Sequence, residues 1–256
     1  MPEGQSCTLP SNHSTKYMTN FALNIKRVRQ RLSNAAARAD RVDAIALLAV
    51  SKGQPAASIR AVRQTGQRDF GENYLQEALD KMAQLQDLDL CWHFIGPVQS
   101  NKTRPLAEHF HWVQTVDRLK IAQRLSDQRP ASLPPLNICI QVNIDGEDSK
   151  SGVAPDEVED LARHILQLPR LQLRGLMAIP APVSAADSLN MAANDTPFFH
   201  LAQLLATLRT RSPALAALDT LSMGMSGDLE AAVAAGSTLV RVGTAIFGER
   251  NRQQTS

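Results

Sequence analysis

The chain has 256 residues, 43% hydrophobic and 20% charged, and this length suits one large α/β barrel or two small domains. Its 27 basic and 25 acidic residues are mixed along the chain, so no basic tract of the kind that binds nucleic acid is present. No apolar run approaches the roughly 18 residues of a membrane span, and the polar N-terminus lacks the apolar stretch of a signal peptide. We therefore expect neither nucleic-acid nor membrane partners.

The cysteine pattern favours a reducing compartment. Cys7, Cys91 and Cys139 are odd in number and widely spaced, and no Cys-x-x-Cys pair occurs, which argues against a disulfide framework or a zinc site. The six histidines also lack a metal-ligand spacing. We expect a cytoplasmic protein without a bound metal.

The N-terminal region divides into a tail and a helix. Residues 1–18 are polar and contain Pro2 and Pro10, so we expect a disordered extension that carries no chemistry. From residue 20 to about residue 38, apolar side chains recur at helical spacing, and Thr19 or Asn20 can serve as the N-cap. The folded domain is then expected to cover residues 19–250, with a C-terminal tail at residues 251–256.

After this helix one unit repeats: a short apolar strand, a turn and an amphipathic helix. Strands are predicted at residues 44–51, 69–72, 92–96, 112–116, 137–144, 172–179, 220–223 and 239–247. Helices are predicted between them at residues 56–64, 74–85, 102–108, 118–126, 155–168, 196–211 and 229–235. This alternation predicts an α/β fold, a single (β/α)8 TIM barrel with an extra N-terminal helix. A doubly wound open sheet is the alternative.

In such barrels the functional residues lie at the C-terminal ends of the strands. Polar or distinctive residues occupy these ends here: Ser51, Lys52, Glu72, Asn73, Tyr74, His93, Gly96, Asn143, Asp145, Met177, residues 222–226, Arg241, Gly243 and Thr244. This pattern predicts one site at that mouth of the barrel.

Lys52 is a candidate nucleophile at this mouth. It follows an apolar strand, where poor solvation should lower its pKa from about 10.4. An amine with a lowered pKa attacks aldehydes and ketones to form a Schiff base. The alternative is a lysine that simply extends from the strand end into water.

Two turns of small residues follow the last two predicted strands. Residues 222–228 read Ser-Met-Gly-Met-Ser-Gly-Asp, and residues 241–248 read Arg-Val-Gly-Thr-Ala-Ile-Phe-Gly. Such turns can bind a phosphate through N–H groups and hydroxyls, and ordinary tight turns are an equal alternative. Because the first and last strands of a barrel are neighbours, a ligand aldehyde on Lys52 can reach a phosphate held by Ser226, Gly243 and Thr244. Pyridoxal 5′-phosphate (PLP) and triose phosphates both carry these two groups.

Six sequence blocks occur in order along the predicted barrel. They are Ala-Val-Ser-Lys at 49–52, Phe-Gly-Glu-Asn-Tyr at 70–74, Trp-His-Phe-Ile-Gly at 92–96, Gly-Leu-Met at 175–177, Leu-Ser-Met-Gly-Met-Ser at 221–226 and Arg-Val-Gly-Thr-Ala-Ile-Phe-Gly at 241–248. Together the blocks resemble the pyridoxal phosphate homeostasis protein family. The resemblance implies a barrel of the alanine racemase type that holds PLP as an aldimine on Lys52.

The resemblance also implies roles for other residues. The phosphate contacts would come from Ser226, Gly243 and Thr244. Arg241 would face the pyridine nitrogen, and the ring pocket would be lined by Asn73, His93 and Met223. Apart from the resemblance, His93 and Met223 are the kind of residues expected in a core.

Lys150 matches a second family lysine that is associated with cofactor exchange, and its alternative is a solvated loop lysine. Two departures from the family pattern stand out. Gly53-Gln54 follows Lys52 where many members have Thr-Lys, and the chain end lacks the usual acidic and aromatic residues.

We therefore expect a PLP-binding protein of intracellular vitamin B6 homeostasis that delivers PLP to PLP-dependent apo-enzymes without substantial turnover, and so has no catalytic residues. A positive Arg241 beside the pyridine nitrogen would disfavour its protonation and weaken the ring as an electron sink. The alternatives are a weak PLP-dependent amino-acid racemase and a Schiff-base aldolase. We expect a monomer, because no added domain is present to build a racemase-type dimer.

Overall fold

The computed structural model describes residues 12–147, 150–181 and 195–249, with side chains described from residue 20 onwards. Residues 1–11 of the predicted extension and the predicted tail at 251–256 lie outside these ranges, as does Cys7.

Eight parallel strands form a closed barrel in chain order. They are β1 Ala46–Val50, β2 Asp69–Glu72, β3 Cys91–Phe94, β4 Trp112–Val116, β5 Leu136–Gln141, β6 Leu171–Met177, β7 Thr220–Ser222 and β8 Leu239–Val242. The barrel closes where β1 pairs with β8, from Ala46 opposite Leu239 to Ala49 opposite Val242. The predicted (β/α)8 barrel is confirmed, and the open-sheet alternative is wrong because the described sheet has no edge strand.

Helices surround the barrel and cover its outer face. They are α1 Asn12–Arg38, α2 Ala56–Arg63, α3 Leu75–Gln84, α4 Thr103–His109, α5 Leu119–Gln128, α6 Val158–Ile165, α7 Pro197–Arg211, α8 Leu229–Ala234 and α9 Thr244–Phe247. Their apolar spacing explains their orientation: α6, for example, buries Val158, Leu161, Ala162 and Ile165, which share one face. None of the described helices has the length and apolar character needed to cross a membrane.

The strands alternate between two environments. In β1, Leu47 and Ala49 belong to the large core that packs under the helices, whereas Leu48 and Val50 belong to a small separate apolar cluster. Alternate residues of a barrel strand face outward and inward, so the small cluster lies inside the barrel. This small cluster contains only Leu48, Val50, Ile95 and Leu239, so the barrel interior also has room for polar side chains.

Several predicted boundaries shift, and two of them shift by five residues or more. Helix α1 begins at Asn12, so residues 12–18 are helical rather than disordered. No glycine or proline interrupts the chain from Asn12 to Arg38, so nothing stops the helix from extending toward the N-terminus. Strand β8 ends at Val242 rather than at residue 247, because its last partner on β1 is Ala49. Beyond that point helix α9 satisfies the backbone instead, with the N–H of Phe247 bonded to the carbonyl of Gly243.

Candidate functional site

Lys52 lies half-buried in the turn that follows β1, at the C-terminal mouth of the barrel. The preceding residue, Ser51, is fully buried, and its carbonyl and hydroxyl groups each bond to a buried side chain. Its carbonyl oxygen accepts a bond from Lys81 Nζ at 2.7 Å, and its hydroxyl donates to Glu72 Oε1 at 2.6 Å. The chain is therefore fixed immediately before Lys52.

The chain is also fixed immediately after Lys52. The N–H of Gly53 donates to Glu77 Oε1 at 2.5 Å, and Glu77 Oε1 also accepts a bond from Lys81 Nζ at 2.6 Å. Gly53 has a φ of +71°, in the left-handed region that favours glycine. The departure from the family pattern at this position therefore suits the local backbone.

A buried charge cluster lies beneath this turn. Lys81 Nζ contacts Glu72 Oε1 at 2.7 Å, and the Lys81 and Glu72 side chains are only 6% and 0% exposed. Burial raises the pKa of Glu72, while the ammonium group of Lys81 and the hydroxyl of Ser51 oppose that rise. Because α3 carries Lys81, this cluster anchors α3 to the strand ends that present Lys52. Glu72 belongs to the conspicuous sequence block at 70–74, but nothing in the sequence pointed to Lys81.

The turn after β8 lies against the end of β1. A Cβ atom added to Gly243 would stand 3.2 Å from the carbonyl oxygen of Val50, two residues before Lys52. Thr244 is exposed at the start of α9. Ser226 is half-buried in the turn after β7. The structure thus brings the predicted phosphate residues and Lys52 to the same mouth of the barrel.

Helix α1 braces both small-residue turns. Arg31 Nη1 donates to the carbonyl oxygen of Ser226 at 3.1 Å, and its Nε and Nη2 each contact the Glu230 carboxylate at 2.8 Å. Asn24 Nδ2 donates to the carbonyl oxygen of Ile246 at 2.9 Å, within α9. Sequence reasoning missed these residues because their partners lie about two hundred positions away.

Arg241 lies inside the barrel, 3% exposed. Its guanidinium donates to Ser222 O at 2.6 Å, to Ser222 Oγ at 2.8 Å and to the carbonyl oxygen of Ala178 at 2.8 Å. Burial lowers its pKa to about 10, so the group stays positively charged at neutral pH. The fixed carbonyl and hydroxyl oxygens orient this charge without cancelling it.

A hydrogen-bonded chain continues from Arg241 through the barrel interior. Ser222 Oγ donates to Gln114 Oε1 at 2.6 Å, and Gln114 Nε2 donates to His93 Nδ1 at 2.9 Å. His93 Nε2 then carries the ring proton and faces Asp69 Oδ1 at 3.2 Å. Gln114 is on β4 and Ser222 is on β7, which are not neighbours in the sheet, so their bond crosses the interior. The chain links the two mouths of the barrel.

Two predicted ring-pocket residues are not brought to the mouth where Lys52 lies. His93 is 1% exposed and bonds toward Asp69, at the start of β2, as a core histidine would. Met223 is fully buried in the core under the helices, whereas Met225 is 37% exposed in the turn beside Ser226. Met223 has the same strand face as Leu221, which also belongs to that core. The chain leaves the strand after Ser222, and in the turn Met225 is the exposed methionine that a ligand can reach.

Two amide oxygens near this mouth are buried without a hydrogen-bond partner among the described residues. They are Asn73 Oδ1, just after β2, and Asn143 Oδ1, just after β5. Buried polar atoms are normally paired, so these two atoms mark a place where a ligand or water can complete the site. Lys150 lies on the loop after β5, where Nζ contacts Asp145 Oδ2 at 2.6 Å and Glu147 Oε1 at 3.2 Å.

The sequence matches the family described as alanine racemase, N-terminal domain, over residues 21–251. It is 58% identical to the pyridoxal phosphate homeostasis protein of Pseudomonas aeruginosa over 235 residues, which cover 91% of this chain and 97% of that protein. This chain belongs to the pyridoxal phosphate homeostasis protein family. The family member from Escherichia coli is 53% identical over 238 residues, covering 91% of this chain and 98% of that protein.

Solved structures agree with this family membership. PipY of Synechococcus elongatus, solved with PLP bound, is 37% identical with a TM-score of 0.75, covering 89% of this chain and all of that chain. Alanine racemase from Corynebacterium glutamicum is 16% identical with a TM-score of 0.66, covering 93% of this chain and 64% of that one. The second likeness is one of fold alone: this chain shares the barrel of alanine racemase.

Proposed function

We propose that this chain binds PLP at the C-terminal mouth of its barrel, with Lys52 as the attachment point, and serves PLP homeostasis. The observation that carries the proposal is the packing of Gly243 against Val50, two residues before Lys52. It sets an amine and a small-residue turn on adjacent strands, as a ligand with an aldehyde and a phosphate requires. The PLP-bound structure of PipY, a relative that covers 89% of this chain, supports the choice of ligand over a triose phosphate.

The residues present fit this cofactor. Gly243 lets its turn lie close against the end of β1, and Ser226 and Thr244 supply hydroxyls on the two turns that α1 braces. The unpaired Oδ1 atom of Asn73 is a hydrogen-bond acceptor near the same mouth. Met225 can cover an apolar ring face, in the role first expected of Met223.

Arg241 would set the chemistry of the site. When bound, PLP supplies an aldehyde for attachment to an amine and a pyridine ring that accepts electrons best when its nitrogen is protonated. Arg241 stays positively charged at neutral pH and can only donate hydrogen bonds. It therefore disfavours protonation of a pyridine nitrogen that it faces. The three oxygens that hold its guanidinium maintain this orientation. We infer a site that retains the cofactor and leaves its electron-sink chemistry weak.

The exposure of Tyr74 also favours binding over turnover. A racemase needs a second acid or base on the face of the substrate opposite the lysine. Tyr74 is 59% exposed at the start of α3, directed to solvent rather than enclosed over the site. We therefore assign no catalytic residue and keep a weak amino-acid racemase as the alternative.

Delivery of PLP to apo-enzymes, a cytoplasmic location and a monomeric state complete the proposal. The described cysteines, Cys91 and Cys139, are free thiols, which suits a reducing compartment. The ion pairs that hold Lys150 to Asp145 and Glu147, on the loop after β5, support a role for this lysine in exchange of the cofactor.

The test is reconstitution of the purified full-length chain with PLP. We expect one equivalent of cofactor to be retained through gel filtration with the visible absorbance of a covalent adduct. Lys52→Ala should abolish that absorbance, and Lys120→Ala, on the exposed face of α5, should not change it. Failure of the wild type to retain PLP, or an unchanged spectrum in Lys52→Ala, contradicts the proposal. Exchange of solvent deuterium into alanine at enzyme-like rates would favour the racemase.

A further inference from the structure

A cluster of three potential metal ligands lies at the N-terminal mouth of the barrel, opposite Lys52. Asp69 and Cys91 begin β2 and β3 and are paired in the sheet, and His93 lies two residues further along β3. All three side chains share the inner face of these strands, because alternate residues of a strand point the same way. Their potential ligand atoms lie within 4.8 Å of one another.

We propose that Asp69, Cys91 and His93 form a binding site for Zn²⁺. A tetrahedral zinc ion with ordinary bond lengths separates a nitrogen and a sulfur ligand by roughly 3.5 Å, and a nitrogen and an oxygen ligand by roughly 3.3 Å. The observed distances are 3.4 Å from His93 Nε2 to Cys91 Sγ and 3.2 Å from His93 Nε2 to Asp69 Oδ1. Two of the three separations therefore already match those that zinc imposes, and the third, between Cys91 Sγ and an Asp69 carboxylate oxygen, is within 4.8 Å.

The surroundings suit a site with one open position. The Asp69 side chain is 41% exposed and that of His93 is 2% exposed, so the cluster runs from solvent into the barrel. Three protein ligands leave a fourth tetrahedral position for water. A thiolate, an imidazole and a carboxylate together form a donor set that zinc accepts.

The orientation of the imidazole is fixed from two sides. The His93 ring stacks on Trp112 with their centroids 5.1 Å apart and an interplanar angle of 8°. Gln114 Nε2 lies 2.9 Å from His93 Nδ1. Metal-bound histidines usually donate their second ring N–H to an oxygen, and Gln114 can supply that acceptor through its Oε1 atom once its amide rotates.

Zinc binding requires a defined movement of protons. The thiol of Cys91 loses one proton to solvent and becomes a thiolate ligand. The neutral ring of His93 gives up its proton at Nε2 and takes one at Nδ1, so its charge does not change. Gln114 must then rotate its amide to present Oε1 to that proton. Metal binding thus reverses the direction of the hydrogen bond that leads toward Ser222 and Arg241.

Cobalt(II) titration of the cofactor-free full-length chain tests the site, because cobalt reports both thiolate ligation and geometry. We expect one equivalent to give a thiolate-to-cobalt charge-transfer band and the visible bands of tetrahedral coordination, which Zn²⁺ then displaces. Cys91→Ser should abolish the charge-transfer band, and Cys7→Ser and Cys139→Ala should each retain it. Absence of the band from the wild type, or its persistence in Cys91→Ser, overturns the proposal.

A second pair of variants separates ligation from folding. Asp69→Asn preserves the shape of a half-exposed side chain and should weaken Zn²⁺ affinity by at least about tenfold, measured by competition with a chromophoric chelator. The control is Asp89→Asn, which alters an acid that is 69% exposed and paired with Arg68. Its affinity should equal that of the wild type. Equal affinities for Asp69→Asn and the wild type overturn the proposal, and neither experiment depends on PLP.

Discussion

Lys81 Nζ lies 2.7 Å from the carbonyl oxygen of Ser51, so a buried ammonium group on α3 holds the residue that precedes Lys52. The same ammonium group binds Glu72 and Glu77, and Glu77 also binds the N–H of Gly53. Lys81 therefore fixes the backbone on both sides of Lys52, directly at Ser51 and through Glu77 at Gly53. A reactive amine can be positioned in this way through the backbone that carries it.

We predict that Lys81→Met is strongly destabilising. It leaves the Glu72 carboxylate buried without its cation, and breaking a buried ion pair from one side typically costs about 3–5 kcal/mol. The measurement is urea unfolding at pH 7. Lys120→Met, at an exposed position of α5, is the matched control and should be nearly neutral. Adding Glu72→Gln to Lys81→Met should restore part of the loss; a double variant as unstable as the sum of both single variants would contradict this account.

We predict that Arg31→Ala weakens cofactor retention more than it weakens the fold. Arg31 binds the carbonyl oxygen of Ser226, but the ion pair with Glu230 is partly exposed and contributes only about 0–1 kcal/mol. The dissociation rate of PLP should rise in Arg31→Ala, while the urea midpoint should change little. An unchanged dissociation rate would show that α1 does not support the phosphate turn.

The Arg31–Glu230 pair also predicts a pH dependence. The hydrogen bond from Arg31 lowers the pKa of Glu230, so the pair contributes stability above the unfolded pKa of about 4.3 and loses it as pH falls through the lower folded value. The difference in stability between wild type and Glu230→Gln should therefore be constant from pH 7 to pH 5 and shrink below about pH 4. A difference that grows on acidification would be inconsistent with this ion pair.

We predict that Gly243→Ala impairs PLP binding through crowding. The added methyl group would stand 3.2 Å from Val50 O, so the turn after β8 must shift by a few tenths of an ångström relative to β1. The φ of Gly243 is −111°, which is not in the left-handed region that favours glycine, so the loss in thermal stability should be modest and should come mainly from this contact. PLP affinity, measured by equilibrium titration, should fall. If Gly243→Ala binds PLP with wild-type affinity, the turn after β8 does not bind the phosphate.

We predict that Gln114→Leu breaks the interior chain. It leaves Ser222 Oγ without its acceptor and His93 Nδ1 without its donor, and each unsatisfied buried group costs about 1–3 kcal/mol. Urea unfolding should show the loss, and Gln123→Leu, at an exposed position of α5, should not. If the two substitutions are equally mild, the interior chain does not stabilise the fold.

Much of the fold could be predicted because it depends on local patterns. β2 and β4 were predicted with their observed boundaries, and α7 within one residue, since apolar periodicity and turn residues act over short distances. The end of β8 was not predictable in that way. It depends on where β1 stops offering partners, and β1 is about two hundred residues away in the chain.

The candidate site also combines features that short segments predict with contacts between distant residues. Residue types and block order predicted Lys52, the small-residue turns and the family, because these features are contained in short segments. The tertiary structure decided which side chains meet: Arg31 with Ser226, Lys81 with Ser51, and His93 with Asp69 and Cys91. Cysteine spacing argued against a zinc site, since a spacing rule cannot include an aspartate from the neighbouring strand. The sequence by itself determined the barrel fold and singled out Lys52 as the candidate attachment point. Contacts between distant strands and helices decided how the backbone around Lys52 is held and which side chains meet at the opposite mouth of the barrel.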